Sequence, residues 1–368
     1  MTAPTPHIRI IGDNRVRLWG LTPHQRITRI AGKAGLALAA PEGDGPSLLI
    51  NSDFAFDPQW IGFMLGHPET VLTVDGVPAM ALTADAKAAD AMAGGKLPAL
   101  TVIRSEDHAD FYNQALRKRE KPFLERLTPA AVPGIERQSY YGAYKGVTDI
   151  LTKYLWPEIA LVLTRLCARI GISPNMVTTV GALGCVLAAV AFWFGHYWLG
   201  MAVGFVFMVL DTVDGKLARC TITSSYWGNI FDHGIDLVHP LFWWWAWGEG
   251  LSAWGLALSH DDFVFVMGVM VAGYVIQRVI EGIFIRRFKM HIHIWERFDS
   301  QFRLITARRN PNMVILFVSL LFGRPDVGLN AVAWWTVISC AIHFVRLAQA
   351  EWAYRHGRPI TSWLDEPA

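Results

Sequence analysis

Between Asp211 and Asp236 the chain reads DTVDGKLARCTITSSYWGNIFDHGID, and strongly apolar runs flank this stretch on both sides. On a helix, Asp211 and Asp214 stand three positions apart and Asp232 and Asp236 four apart, so each pair projects from one face. Two such faces can surround a cation. An uncompensated acid at the centre of a bilayer costs about 3 kcal/mol, and less near the interface, so four of them call for positive charge. A divalent metal would supply it. All-oxygen ligation favours Mg²⁺ or Mn²⁺, which normally retain waters and also bind substrate phosphates. Gly215 follows the second aspartate and Gly228 opens the next element, allowing close approach of a ligand or of backbone, and Ala218 is small for the same reason. Arg219 can present its guanidinium to phosphate or carboxylate. The bland alternative is a charge network in which Lys216 and Arg219 balance Asp211 and Asp214. It accounts for charge near a helix end, but not for the whole set of acids, glycines, alanine and arginine.

Working outward, apolar runs recur at 176–195, 197–212, 235–255, 263–285, 312–323 and 328–348. These are six candidate membrane spans, some of them short of the roughly 20 residues that a straight crossing needs. The 52% apolar composition of the 368-residue chain agrees with a membrane protein. Its net charge of +2 gives no reason to expect a nucleic-acid partner. Cys167, Cys185, Cys220 and Cys340 are scattered singly and read as small buried thiols. Lys216 and Arg219 lie between the second and third runs. Arg286, Arg287, Lys289, Arg297, Arg303, Arg308 and Arg309 lie between the fourth and fifth, whereas the opposite connections are poor in cations. The positive-inside rule then places the aspartates and both termini on the cytoplasmic side, with residues 351–368 as a cytosolic tail. The expected setting is a bacterial inner membrane.

Residues 1–140 read differently. Short β-like runs at Ile8 to Ile11, Leu48 to Asn51 and Val71 to Val74 alternate with helical and Gly/Pro-rich pieces, which predicts a small cytosolic α/β domain. The N-terminus lacks an apolar core of signal-peptide length. The linker, 141–174, contains KGVTDILTKYLWPEIALVLTRLCARI from Lys145 to Ile170, a pattern suited to a helix lying at the membrane surface. An ordinary amphipathic linker helix would show the same periodicity.

The motif D-x-x-D-G-x-x-A-R followed by G-x-x-x-D-x-x-x-D resembles that of the CDP-alcohol phosphotransferase (CDP-alcohol phosphatidyltransferase) family, and every fixed position matches. The resemblance covers roughly 145–350. It implies a homodimer whose six-helix domain at 175–350 transfers a phosphoryl-alcohol group from a CDP-linked donor to a hydroxyl and releases CMP. Asp211, Asp214, Asp232 and Asp236 would hold two metal ions, Asp236 would take the acceptor proton, and Arg219 and Lys216 would assist the pyrophosphate. The run from Ser173 to Thr178 is similar to the family's Pro-Asn-x-x-Thr signature, so Asn175 and Thr178, with Asp211, Gly215, Ala218, Arg219 and Gly228, would contact the nucleotide. Helix capping is the plain alternative for Asn175 and Thr178.

CDP-diacylglycerol with a small polar alcohol as acceptor is the leading substrate pair, and a soluble CDP-alcohol donor is the alternative. A non-enzymatic cation-binding protein or transporter is the remote reading. Arg278, inside the fourth run, and Arg308 and Arg309 are candidates for a phosphorylated acceptor. Lipid headgroups are the competing ligand for the last two, and Glu281 the competing partner for the first. His291 and His293 are two apart and suggest no metal site on a helix. The stretches from Leu18 to Leu36 and from Leu48 to Pro58 resemble part of a sugar-phosphate nucleotidyltransferase. No G-x-G-x-R loop opens that domain, so it is expected to be non-catalytic, with Asp53 at the place where such enzymes bind metal.

Overall fold

The computed structural model describes residues 5–38, 45–107 and 110–365, and the remaining positions of the expected 1–140 domain and 351–368 tail lie outside the described residues. The N-terminal region comprises β1 (His7–Ile11), α1 (Pro23–Ala34), β2 (Ser47–Asn51), β3 (Phe54–Phe56), α2 (Gln59–Leu65), β4 (Thr70–Val74), β5 (Val77–Thr83), α3 (Lys87–Ala93), β6 (Thr101–Arg104), β7 (Phe111–Asn113), β8 (Lys118–Glu120) and β9 (Leu124–Arg126). Five strands form a mixed sheet in the order β1-β2-β5-β4-β6, with β3/β9 and β7/β8 as separate two-stranded ribbons. Alternation along β2 sends Leu48 and Ile50 to one core, with Ile27, Trp60 and Met64, and Leu49 to the opposite core, with Ala88 and Met92. Helices therefore cover both faces of the sheet. Asp53 is exposed in the turn between β2 and β3.

The helical part contains α4 (Val132–Gly142), α5 (Ile150–Tyr154), α6 (Pro157–Ile170), α7 (Pro174–Trp193), α8 (Tyr197–Cys220), α9 (Tyr226–Gly250), α10 (His260–Phe288), α11 (Arg297–Phe302), α12 (Arg309–Leu321) and α13 (Pro325–Arg355). Each of the six apolar runs falls on one of α7–α10, α12 and α13. Four of these, α7, α8, α10 and α13, are long and apolar enough to cross a membrane by length and composition, which makes this an integral membrane protein. The expected count of six is not reached on those criteria. Helix α9 opens with the polar aspartate stretch, and the 13 residues of α12 extend about 20 Å, short of a ~30 Å hydrocarbon layer.

The linker departs from a single helix. Pro157 has no N–H and restricts Trp156 before it, so the chain breaks there into α5 and α6. Helix α6 buries Ala160, Leu161 and Thr164, while Ile159, Val162, Leu166 and Ile170 form an exposed apolar stripe.

The α/β region is fastened to the end of α8. The last carbonyls of a helix lack intrahelical donors, and cations are favoured there. Arg26 donates from Nη1 to the Cys220 carbonyl at 3.0 Å, Arg29 to that of Thr221 at 2.8 Å and Lys33 to that of Ser224 at 3.1 Å. Ile222, just beyond α8, packs into the α1–α2 side of the sheet's core. The aspartate-bearing helix thus ends inside the α/β region.

At the other side of the bundle, α9 ends against the α7–α8 turn. A Cβ on Gly250 would stand 2.0 Å from the Phe192 carbonyl oxygen and 3.0 Å from the Gly195 nitrogen, neither of which can move independently of the backbone. Gly250→Ala is expected to destabilise the helical domain by about 1–3 kcal/mol, seen as a lower melting temperature of the purified protein. An unchanged melting temperature would contradict this packing.

Candidate active site

Helix α8 continues past its apolar run because Lys216, Leu217, Ala218 and Arg219 are strong helix formers, and it stops before Ile222, whose φ is 58°. Asp211, Asp214, Gly215 and Ala218 therefore occupy its last turns. Ser225 caps α9 by accepting from the Gly228 N–H at 3.0 Å, which sets Asp232 and Asp236 in the first half of α9. Helix α7 begins at Ser173-Pro174, with the Ser173 hydroxyl accepting from the Met176 N–H at 3.3 Å. Ser173 is the cap, leaving Asn175 and Thr178 free of that task.

These pieces face one cavity of about 500 Å³, lined by Asn175, Thr178, Asp211, Asp214, Gly215, Lys216, Ala218, Arg219, Gly228, Asp232, Asp236 and Arg309. One carboxylate oxygen from each of Asp211, Asp232 and Asp236 lies within 4.8 Å of the others. Asp214 is more deeply set: its Oδ2 accepts from the Thr178 hydroxyl at 2.6 Å, and its Oδ1 is buried with no hydrogen-bond partner. Arg309 spans the group, donating from Nη2 to Asp211 Oδ2 at 2.7 Å and from Nη1 to Asp236 Oδ1 at 2.5 Å. The other oxygens of both residues are left for a further ligand. An all-carboxylate donor set with an orphaned buried oxygen fits a hard divalent cation.

Glycine at 215 has a local reason. A Cβ there would lie 3.1 Å from Nη2 of Arg219, whose guanidinium folds back over Gly215. At Gly228 a Cβ would stand 3.0 Å from Asn175 Oδ1, so α7 and α9 meet at that point. Lys216 is already engaged: its Nζ donates to the Ala143 carbonyl at 3.0 Å and sits 3.1 Å from the centroid of the Tyr144 ring.

The three candidate acceptor arginines separate. Arg309 lines the cavity, but on the aspartates. Arg278 and Arg308 do not line it; both pair with Glu281, the first at 3.1 Å. Glu281 also meets His293 at 3.4 Å and forms a potential ligand group with His293 and His343, which the i,i+2 reading of His291 and His293 does not reveal. Burial holds His293 neutral, well below its usual pKa, and its Nε2 lies 3.1 Å from Arg308 Nη2. Two arginines on one carboxylate make this an ion-pair network rather than a favourable cation site.

A profile of the CDP-alcohol phosphatidyltransferase family matches residues 171–307, the segment that builds α7, α8, α9 and the approach to α12. Residues 171–307 form a CDP-alcohol phosphatidyltransferase domain. Cholinephosphotransferase 1 of Gallus gallus is 32% identical over 127 residues, covering 32% of this chain and 36% of that protein. Archaetidylinositol phosphate synthase of Pyrococcus horikoshii is 26% identical over 170 residues, covering 45% of this chain and 78% of the relative. Among solved structures, phosphatidylinositol phosphate synthase of Mycobacterium tuberculosis with CDP-DAG bound aligns at 19% identity and a TM-score of 0.37, over 51% of this chain and 93% of that one. The chain spans little more than a third of the length of the Gallus gallus relative. The family match leaves residues 1–170 outside it.

Proposed function

We propose that this protein transfers a phosphoryl-alcohol group, most simply phosphatidyl, from a CDP-linked donor to the hydroxyl of a small polar alcohol and releases CMP. The observation that carries this reading is the convergence of the α8 and α9 aspartates on the cavity that also holds Asn175, Gly215, Ala218, Arg219 and Gly228. Asp211, Asp214, Asp232 and Asp236 would hold Mg²⁺ or Mn²⁺, two ions in the family's pattern. Such cations, when bound, neutralise charge on the donor's pyrophosphate.

The chain's own residues do the rest. Arg219 faces the pyrophosphate with an unpaired guanidinium, Asn175 borders the nucleotide, and Thr178 holds Asp214 in place. Asp236 accepts the acceptor's hydroxyl proton as that oxygen bonds to the donor phosphorus. The bond from phosphorus to the CMP oxygen breaks, and its electron pair leaves with CMP. Asp236 suits the base role because its side chain is 40% exposed, against 16% for Asp211, so it remains reachable from the cavity.

Helices α9 and α12 would complete six spans, with the basic α8–α9 and α10–α12 connections and both termini on the cytoplasmic side. Helix α6 would lie at the interface on its exposed apolar stripe. The α/β domain is proposed to be non-catalytic, since it has no G-x-G-x-R loop and Asp53 stands alone in an exposed turn. A homodimer is the assembly that the family resemblance favours.

The test is CMP release by the purified full-length protein from CDP-diacylglycerol, with a panel of alcohols, in the presence and absence of Mg²⁺ or Mn²⁺. Release that requires both metal and acceptor is expected. The similarity to a cholinephosphotransferase favours including a soluble CDP-alcohol as a second donor. No release from either donor class would end the proposal.

A further inference from the structure

The cavity extends beyond the aspartates to a wall that the membrane helices do not build. There it is lined by Ala115, Leu116 and Arg117, in the turn of the β7–β8 hairpin, by Lys145 in the linker and by Arg303 after α11. The hairpin is pinned to this position. The Gly146 N–H donates to the Leu116 carbonyl at 2.8 Å, Lys118 Nζ reaches the Tyr141 carbonyl at 3.1 Å, and Arg119 Nε donates to the Leu364 carbonyl at 3.2 Å. Gly146 is required by the contact: a Cβ there would fall 2.5 Å from the Arg117 carbonyl oxygen and 2.7 Å from Lys118 Cβ.

Arg117, Lys145 and Arg303 make no side-chain hydrogen bond or ion pair with a described residue, and Nη1 of Arg303 is buried without a partner. All three are half-buried, and cations drawn out of water are ordinarily paired. The acid nearest in kind is Asp149, which also lines the cavity but already accepts from the Thr152 N–H at 3.0 Å, the Thr152 hydroxyl at 2.8 Å and Asn310 Nδ2 at 2.9 Å. Burial, with Arg117, Arg219 and Arg303 nearby, pushes Lys145 down to about 8 despite the opposing pull of Asp232. Burial, with Arg308 nearby, pushes Arg303 down to about 9, opposed by Asp149 and Glu281. Of the other acids that act on these cations, Glu281 pairs with Arg278 and Arg308, and Asp232 belongs to the aspartate group, so none is an ion-pair partner of the three. A phosphate monoester, which carries about −1.5 to −2 near neutral pH, would supply the missing partner.

We infer that the N-terminal domain completes the substrate cavity: its β7–β8 turn supplies Arg117, which with Lys145 and Arg303 forms a subsite for a phosphate monoester on the acceptor alcohol. The inference rests on the transferase reading above and names the class of its acceptor. Arg117 then determines specificity, because no other residue of the α/β domain combines a place on this wall with a free cation among the described residues. The arrangement also gives the α/β domain a role independent of any catalysis of its own. With its phosphate held at this wall, the acceptor can present a hydroxyl toward Asp236 in the same cavity.

Direct binding tests the subsite without turnover. Calorimetry on the full-length wild type, Arg117→Gln and Arg117→Lys would compare glycerol phosphate with glycerol and inositol phosphate with inositol, and would include CDP. Wild type is expected to bind at least one phosphorylated alcohol and not its unphosphorylated counterpart. Arg117→Gln should weaken that binding at least tenfold, Arg117→Lys should restore most of it, and CDP affinity should be the same in all three. Equal binding of phosphorylated and plain alcohols, or unchanged phosphate binding in Arg117→Gln, would overturn the inference. Weakened CDP binding in Arg117→Gln would overturn it too, by assigning these cations to the donor. CMP release in the donor assay is a separate readout, so its failure would fall on the transferase reading alone.

Discussion

Asp236→Asn is expected to lower turnover by about 10²–10⁴-fold while leaving CDP affinity within a few-fold of wild type. The amide keeps a carbonyl oxygen for Arg309, which donates to Asp236 at 2.5 Å, so the local arrangement should survive. What it cannot do is take the acceptor's proton at neutral pH. Steady-state rates beside equilibrium CDP binding separate the two functions. Preserved transfer with lost CDP binding would remove Asp236 from the base role and make it a ligand only.

The second large effect is at Asp214. Its Oδ1 is buried and unpartnered, so in the absence of a cation the carboxylate is a liability to the fold. Asp214→Ala should therefore be at least as stable as wild type in a chelator. It should also lose the rise in melting temperature that Mg²⁺ or Mn²⁺ gives the wild type, since only a ligand that binds the folded state stabilises it. Transfer should drop at least about 100-fold, because even outer-shell changes at metal sites reach that size. A melting temperature that still responds to metal as in wild type would place the cation elsewhere.

Much of the site was legible because it is local. The i,i+3 and i,i+4 spacings of the aspartates translate directly into helix faces, and the glycines mark close approaches that backbone geometry requires. Strands β1, β2 and β4 were readable as apolar runs bounded by turn residues. Strand β5 was not, because Val77–Thr83 contains Pro78 and helix-favouring Ala and Met, yet it lies second-neighbour to both ends of the sheet. Pro78 fits because β4 shifts register between Leu72 and Thr73, opposite it. The break of the linker at Pro157 follows from a local rule that the amphipathic pattern concealed.

The remainder depends on distant pairings that spacing cannot encode. Arg308 comes from another element to the Glu281 that Arg278 meets three positions along its own helix, and Arg309 turns from a headgroup candidate into the clasp between Asp211 and Asp236. Arg117 carries no signal in its own neighbourhood. Its importance arises only when Gly146 lets the hairpin dock and brings that side chain to the wall of the cavity.

The central claim is that the α8 and α9 aspartates hold a divalent cation and the donor's pyrophosphate together. Its most direct test is the anomalous scattering of Mn²⁺ in crystals of the protein grown with CDP. Manganese ligated by carboxylates of the Asp211, Asp214, Asp232 and Asp236 group and by CDP phosphate oxygens is the predicted result. Manganese bound only at Glu281, His293 and His343, or CDP bound in the cavity without a metal at the aspartates, would contradict it.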